Sequence, residues 1–210
     1  QLAAGSDPGG WRGGGGGIGG ESEVDGAEVE YARALFRAVG EAAAAGAAAM
    51  RPRELVALSR AWARAVQAGR AESDPSLLTE LIAAARPQLH CFSAGELATL
   101  AWSVSKASLL EPSLLGGLSA QLLEEQPDGT LRLRELDSGE LVMLTMALRI
   151  ARRSARGQPE LLDALGDELA LRQTELTSRE RRMVASAFAY LGHEQPLHAV
   201  QDSGEEFFVG

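Results

Sequence analysis

The sequence predicts an all-α protein built as an array of helical hairpins that repeats about every forty residues. Composition is the first reason. Of the 210 residues 45% are hydrophobic but only 5% aromatic, and the apolar content is mostly Ala and Leu. That is enough to bury a core, and it is the palette of helices packed closely on helices. The second reason is a repeat. Four segments align without gaps: MRPRELVALSRAWARA from Met50, FSAGELATLAWSVSKA from Phe92, LDSGELVMLTMALRIA from Leu136 and LTSRERRMVASAFAYL from Leu176. Each holds one Glu at the same place, and Glu54, Glu96, Glu140 and Glu180 are 42, 44 and 40 residues apart. This spacing is in the range of stacked helical-hairpin repeats. The third reason is a companion pattern, in which Pro75, Pro112 and Pro159 each precede leucines at +2, +3 and +6. Proline suits the first turn of a helix, where its missing N–H is not needed, so each repeat is helix, linker, helix.

In chain order, residues 1–26 form a glycine-rich acidic tail that buries too little surface to offset chain entropy, and they are expected to be disordered. Residues 27–49 predict one unpaired helix with Val29, Tyr31, Leu35, Phe36 and Val39 as its apolar members, a terminal cap or the second half of a missing repeat. Residues 50–192 hold the repeats, and 193–210 an acidic C-terminal tail. In the repeats Ser93, Asp137 and Thr177 stand three residues before their Glu, a spacing that lets cap and Glu each close an orphan backbone N–H. Phe92 and Leu136 precede their caps and can pack on Leu97 and Leu141 as hydrophobic staples. The first copy has Arg51 in place of the cap, with Pro52 following. Counted from each Glu, positions +1, +4, +8 and +11 form an apolar stripe broken only by Arg181. Position +7 is always small, as Ala61, Ser103, Ala147 and Ala187, which lets a neighbouring helix approach. After the fourth segment Pro196 is followed by His198, Ala199 and Asp202 rather than leucines, so the last hairpin is expected to lack a proper second helix.

Signals for chemistry are weak. The capping box gives every repeated Glu a structural reason, and no catalytic residue, metal ligand or cofactor site is assigned. His90 and Cys91 have no second pair to complete a metal site, and His193 and His198 are expected to be solvated. Cys91 is the single cysteine, so nothing requires an oxidising compartment. The chain starts at Gln1 rather than Met, so a removed targeting peptide would leave no trace.

The net charge of −9 speaks against nucleic acid only until it is located. Residues 1–30 carry −5 and residues 193–210 carry −4, which leaves the body neutral. Within the body the first helices and their flanks sum to +4, 0, +3 and +2, the second helices to −2, −4 and −4. On a helical wheel Arg53, Arg60, Arg64, Lys106, Arg149, Arg153, Arg179 and Arg182 fall roughly opposite the apolar stripe. Trp62 lies in the core stripe, whereas Trp102 at +6 points away from it and is free to stack on a base.

The segment LATLAWSVSKA from Leu97 to Ala107, with its copies LVALSRAWARA, LVMLTMALRIA and RRMVASAFAYL, resembles the octotricopeptide and heptatricopeptide repeats, which are related to FAST-kinase-like repeat regions. The resemblance covers about residues 50–192. It implies a right-handed helical solenoid in a mitochondrion or plastid, non-enzymatic, binding organellar transcripts or serving as a ribosome-associated component. Two functions follow as expectations. One is RNA binding through the basic layer of first helices, with Trp102 stacking on a base. The other is a protein scaffold in an organellar ribosome or other assembly, where the same face meets an acidic protein surface. No membrane and no small-molecule substrate is expected of either.

Overall fold

The computed structural model describes residues 21–68, 76–194 and 196–197. Among them every element is helical apart from one isolated antiparallel bridge between Glu125 and Leu131. No helix of the described residues is long and apolar enough to cross a membrane.

The first helix, α1, spans Glu21–Gly46 and runs into a 3-10 turn, Ala47–Ala49. It starts inside the stretch expected to be disordered; residues 1–20 lie outside the described residues. The segment ESEVD opens it, and acidic residue types suit a helix N-terminus, where the dipole is positive. Of the expected apolar members, Val29 and Phe36 lie outside the residues whose side chains are described. Tyr31, Leu35 and Val39 are 74%, 52% and 48% exposed. Among its described side chains Gly40 is buried and Ala43 and Ala44 pack against the core. A Cβ on Gly40 would stand 3.3 Å from the Trp62 ring, so the two helices approach closely here.

The repeats follow. Helices α2 (Pro52–Gln67), α4 (Ala94–Lys106), α6 (Ser138–Ile150) and α9 (Ser178–Leu191) are the first helices. Helices α3 (Ser76–Ala85), α5 (Pro112–Leu122) and α8 (Pro159–Leu171) are the second ones, and the single-turn α7 (Arg152–Ala155) joins α6 to α8. Two further 3-10 turns, Arg86–Cys91 and Arg132–Glu135, lead back to α4 and α6. Helix α4 packs between α2 and α6, and α9 packs on α6; each of α2, α4 and α6 also touches its own second helix, while α1 touches α3. The first helices therefore stand in one row.

The starts are built as their sequence dictates. The Ser93 N–H donates to Glu96 Oε2 at 2.9 Å and the Glu96 N–H to Ser93 Oγ at 3.2 Å. Asp137 with Glu140 (2.9 and 2.7 Å) and Thr177 with Glu180 (2.8 and 3.2 Å) repeat the exchange. In the first copy the Arg51 side chain has no acceptor to offer, so the Glu54 N–H turns to the Arg51 carbonyl at 2.9 Å, while the Arg51 N–H donates to Glu54 Oε2 at 2.9 Å and its guanidinium pairs with the same carboxylate at 2.8 Å. Phe92, Leu97, Leu136 and Leu141 are all fully buried in one core cluster. The nine leucines that follow Pro75, Pro112 and Pro159 are buried too, at 3% exposure or less; Pro75 itself lies outside the described residues.

A further regularity was not anticipated. The backbone carbonyl just before each cap accepts from a side chain of the same repeat. Gln88 reaches Met50 at 3.3 Å, Arg132 reaches Phe92, Arg172 reaches Leu136 at 2.6 Å, and in the last copy Arg181 reaches Leu176 at 3.2 Å. Arg181, the break in the apolar stripe, is thereby accounted for. The chain after α9 is only partly described, since His198 and residues 199–210 lie outside it. His193 is not simply solvated: its Nε2 sits 2.9 Å from Asp163 on α8. Leu197 is buried, and a Cβ on Gly166 of α8 would stand 3.3 Å from Pro196, so this segment folds back over α8.

Candidate functional site

Position in the repeat decides which side chains are free to act. At +7, Ser103, Ala147 and Ala187 are fully buried, as the close approach of a neighbouring first helix requires. Ala61 at the same place is exposed, because no helix among the described residues lies upstream of α2 in the row. At +2, Val56, Ala98 and Val142 are buried against the next first helix. Arg182 occupies +2 in α9 and is exposed, since no further first helix follows among the described residues. It belongs to the end of the row, not to the outer face where the helical wheel puts it. Arg53 and Arg179, one residue before their Glu, sit in the first turns of α2 and α9. A rise of about 1.5 Å per residue separates them by roughly 10 Å or more from the cations at +6 to +13.

The remaining candidates gather at the C-terminal ends of the first helices. Row +6 holds Arg60, Trp102, Met146 and Ser186, and row +10 holds Arg64, Lys106, Ile150 and Tyr190. Arg60, Arg64, Lys106 and Arg153 are exposed, and Trp102 and Arg149 half-buried. Lys106 Nζ lies 5.4 Å from the centre of the Trp102 ring, a cation–π contact that keeps the ring at the surface beside a positive charge. Arg149 lies 5.6 Å from the Tyr190 ring centre, joining α6 to α9.

Past their capping Glu, the first-helix segments carry no acid in sequence. The stretches 55–67, 97–109, 141–153 and 181–193 contain no Asp or Glu and eight Lys or Arg. A helix C-terminus favours a cation, but that preference does not explain the complete lack of acids over four repeats. Pairing separates the two layers further. Among the described residues Arg60, Arg64, Lys106, Arg149, Arg152 and Arg153 form no salt bridge. The second-layer cations and their connections are committed: Arg86 to Glu111 at 3.1 Å, Arg132 to Glu124 at 3.6 Å, Arg134 to Glu168 at 3.3 Å and Arg172 to Glu168 at 2.5 Å.

Sequence reasoning missed Arg152 and Tyr190. Arg152 Cζ lies 4.6 Å from the Tyr190 ring centre. The signal for Tyr190 was present, because it aligns at +10 with Arg64, Lys106 and Ile150. Arg152, at +12, falls nearer the apolar stripe on the helical wheel than the other cations do. Comparison of the chain with family models, with curated proteins and with solved structures finds no match.

Proposed function

We propose that the protein is a non-enzymatic RNA-binding module: a right-handed solenoid of about four hairpin repeats that holds single-stranded RNA across the C-terminal ends of its first helices. The observation that carries this reading is the set of unpaired cations in and just after the C-terminal halves of the first helices. Arg60, Arg64, Lys106, Arg149, Arg152 and Arg153 form no salt bridge among the described residues, and Trp102 and Tyr190 are interleaved with them. Unpaired guanidinium and ammonium groups bind phosphates without first breaking an ion pair, and aromatic faces stack on bases of any sequence. The likeness to octotricopeptide and heptatricopeptide repeats supports a place in mitochondrial or plastid gene expression.

Salt dependence tests the reading. Affinity for an unstructured oligoribonucleotide should fall with salt, with a log–log slope of about −0.7 per phosphate contacted. Arg60→Glu with Arg64→Glu should weaken binding to unrelated sequences alike and make the slope shallower. Arg86→Glu, at an exposed second-layer pair, should leave both unchanged. Absence of RNA affinity at low salt would transfer the function to the second reading, a protein scaffold in an organellar ribosome or other assembly. One observation favours that reading: Tyr31, Leu35 and Val39 line up at four-residue spacing as an exposed apolar stripe on α1.

A further inference from the structure

Between the end of α4, the α6–α7 junction and the last turn of α9 lies a cavity of about 460 Å³, within the size range of small-ligand sites. Arg152 and Arg153 bring two guanidinium groups to its wall, Ser105, Ser108 and Ser154 bring hydroxyls, and Tyr190 brings an aromatic ring. The Nε atoms of Arg149 and Arg152, both beside that ring, are buried without a hydrogen-bond partner. Both guanidinium groups are thus held by the ring rather than by hydrogen bonds. The hydroxyls of Ser105 and Ser154 donate to the carbonyls of Trp102 and Leu110 at 2.8 and 2.7 Å, which leaves their oxygens as acceptors.

Ser108 is an independent observation at the same place. Its φ is 59°, and no other non-glycine among the described residues has a positive φ. It closes α4 in the left-handed conformation, with the Leu109 N–H reaching the Val104 carbonyl at 3.1 Å. Gly192 closes α9 in the same way at φ 75°, with His193 reaching Phe188 at 3.1 Å. Glycine holds this turn with less strain, so the turn itself does not account for the serine. A hydroxyl at the wall of the cavity does.

We propose that this cavity is a ribonucleotide subsite. The phosphate ester meets Arg152, Arg153 and the Ser108 hydroxyl. The nucleoside lies against Tyr190 and Ile150, which are 49% and 42% exposed. A planar ring beside planar guanidinium groups suits a base better than it suits a simple acid. The inference deepens the RNA reading and rests on it for the choice of ligand.

The test uses the full chain, labelled with ¹⁵N and titrated with uridine 5′-monophosphate, uridine, inorganic phosphate and oligouridine. The monophosphate should shift the amides of residues 105–108, 150–154 and 190, and should bind about tenfold more tightly than uridine or inorganic phosphate. Arg152→Gln and Ser108→Gly should each weaken it several-fold; the glycine variant keeps the turn, and amides far from the cavity report the fold of both. If neither the monophosphate nor oligouridine moves those amides, the subsite is wrong. Oligouridine binding with those amides unmoved and Arg152→Gln silent overturns the subsite and leaves the RNA reading standing. Monophosphate binding there without oligouridine binding keeps the subsite and overturns the RNA reading. Inorganic phosphate bound as tightly as the monophosphate overturns the assignment to a nucleotide.

Discussion

The Glu96 carboxylate satisfies the Ser93 N–H and the Ser93 hydroxyl the Glu96 N–H, so each bond holds in place the turn that the other needs. Ser93→Ala and Glu96→Ala should each cost about 1 kcal/mol and together cost clearly less than the sum, in a double-mutant cycle read by urea unfolding. Additive losses would mean that the two bonds are not shared. The fourth box adds a pH signature. Hydrogen bonds from the Thr177 hydroxyl and backbone N–H hold the Glu180 carboxyl below its ordinary value of 4.5. A carboxyl depressed in the folded state stabilises fully above its unfolded pKa and loses that contribution as pH falls through the folded one. Thermal stability should therefore decline on acidification below about pH 4.5, and less steeply in Glu180→Gln. An unchanged acid limb in that variant would refute the assignment. These boxes were legible because their partners are three residues apart. The side-chain ties to the Met50, Phe92 and Leu136 carbonyls were not, since each spans 36 to 40 residues and nothing local marks the acceptor.

At the scale of elements, the first helices and the leucine-rich second helices were readable because caps, prolines and apolar period agree with one another. Helix α1 was less legible: it begins at Glu21, inside the stretch expected to be disordered, and among its described side chains Tyr31, Leu35 and Val39 are exposed while Gly40 lies against Trp62. In the third repeat an ionic tie is added to the apolar core. Glu168 on α8 is 6% exposed and is held by Arg172 at 2.5 Å and Arg134 at 3.3 Å, while Arg172 also bonds the carbonyls of Leu136 and Arg134 at 2.6 and 2.8 Å. Arg172→Ala removes the nearer cation from a buried carboxylate and leaves two carbonyls without this donor. It should cost about 2–3 kcal/mol, measured by chemical denaturation. A loss near that of a surface pair, under about 1 kcal/mol, would show that Arg134 and solvent suffice.

For the whole molecule, the charge division was legible as sums over segments, whereas the cavity at the α4, α6–α7 and α9 ends was not. Its walls come from three helices whose ends meet only through the packing of the row, and the left-handed Ser108 that borders it has no signature in the sequence. The row also sets how stability is distributed. Helices α4 and α6 each have first-helix neighbours on both sides and make the most extensive contact with each other, while α2 and α9 have such a neighbour on one side only. In a linear array each unit is stabilised by the neighbours it touches, and opening proceeds from the ends. Amide hydrogen exchange should therefore be slowest in α4 and α6, faster in α2 and α9, and fastest in the first half of α1, where Tyr31 is exposed. Removing one core contact from the middle separates this from all-or-none unfolding. Leu144→Ala, at a fully buried site in α6, should accelerate exchange in α4, α6 and α9 by a common factor that corresponds to about 3 kcal/mol. It should leave α1 nearly unchanged, because exchange there already occurs by local opening. Uniform acceleration over every helix would instead make the chain a single cooperative unit and rule out a row that opens from its ends.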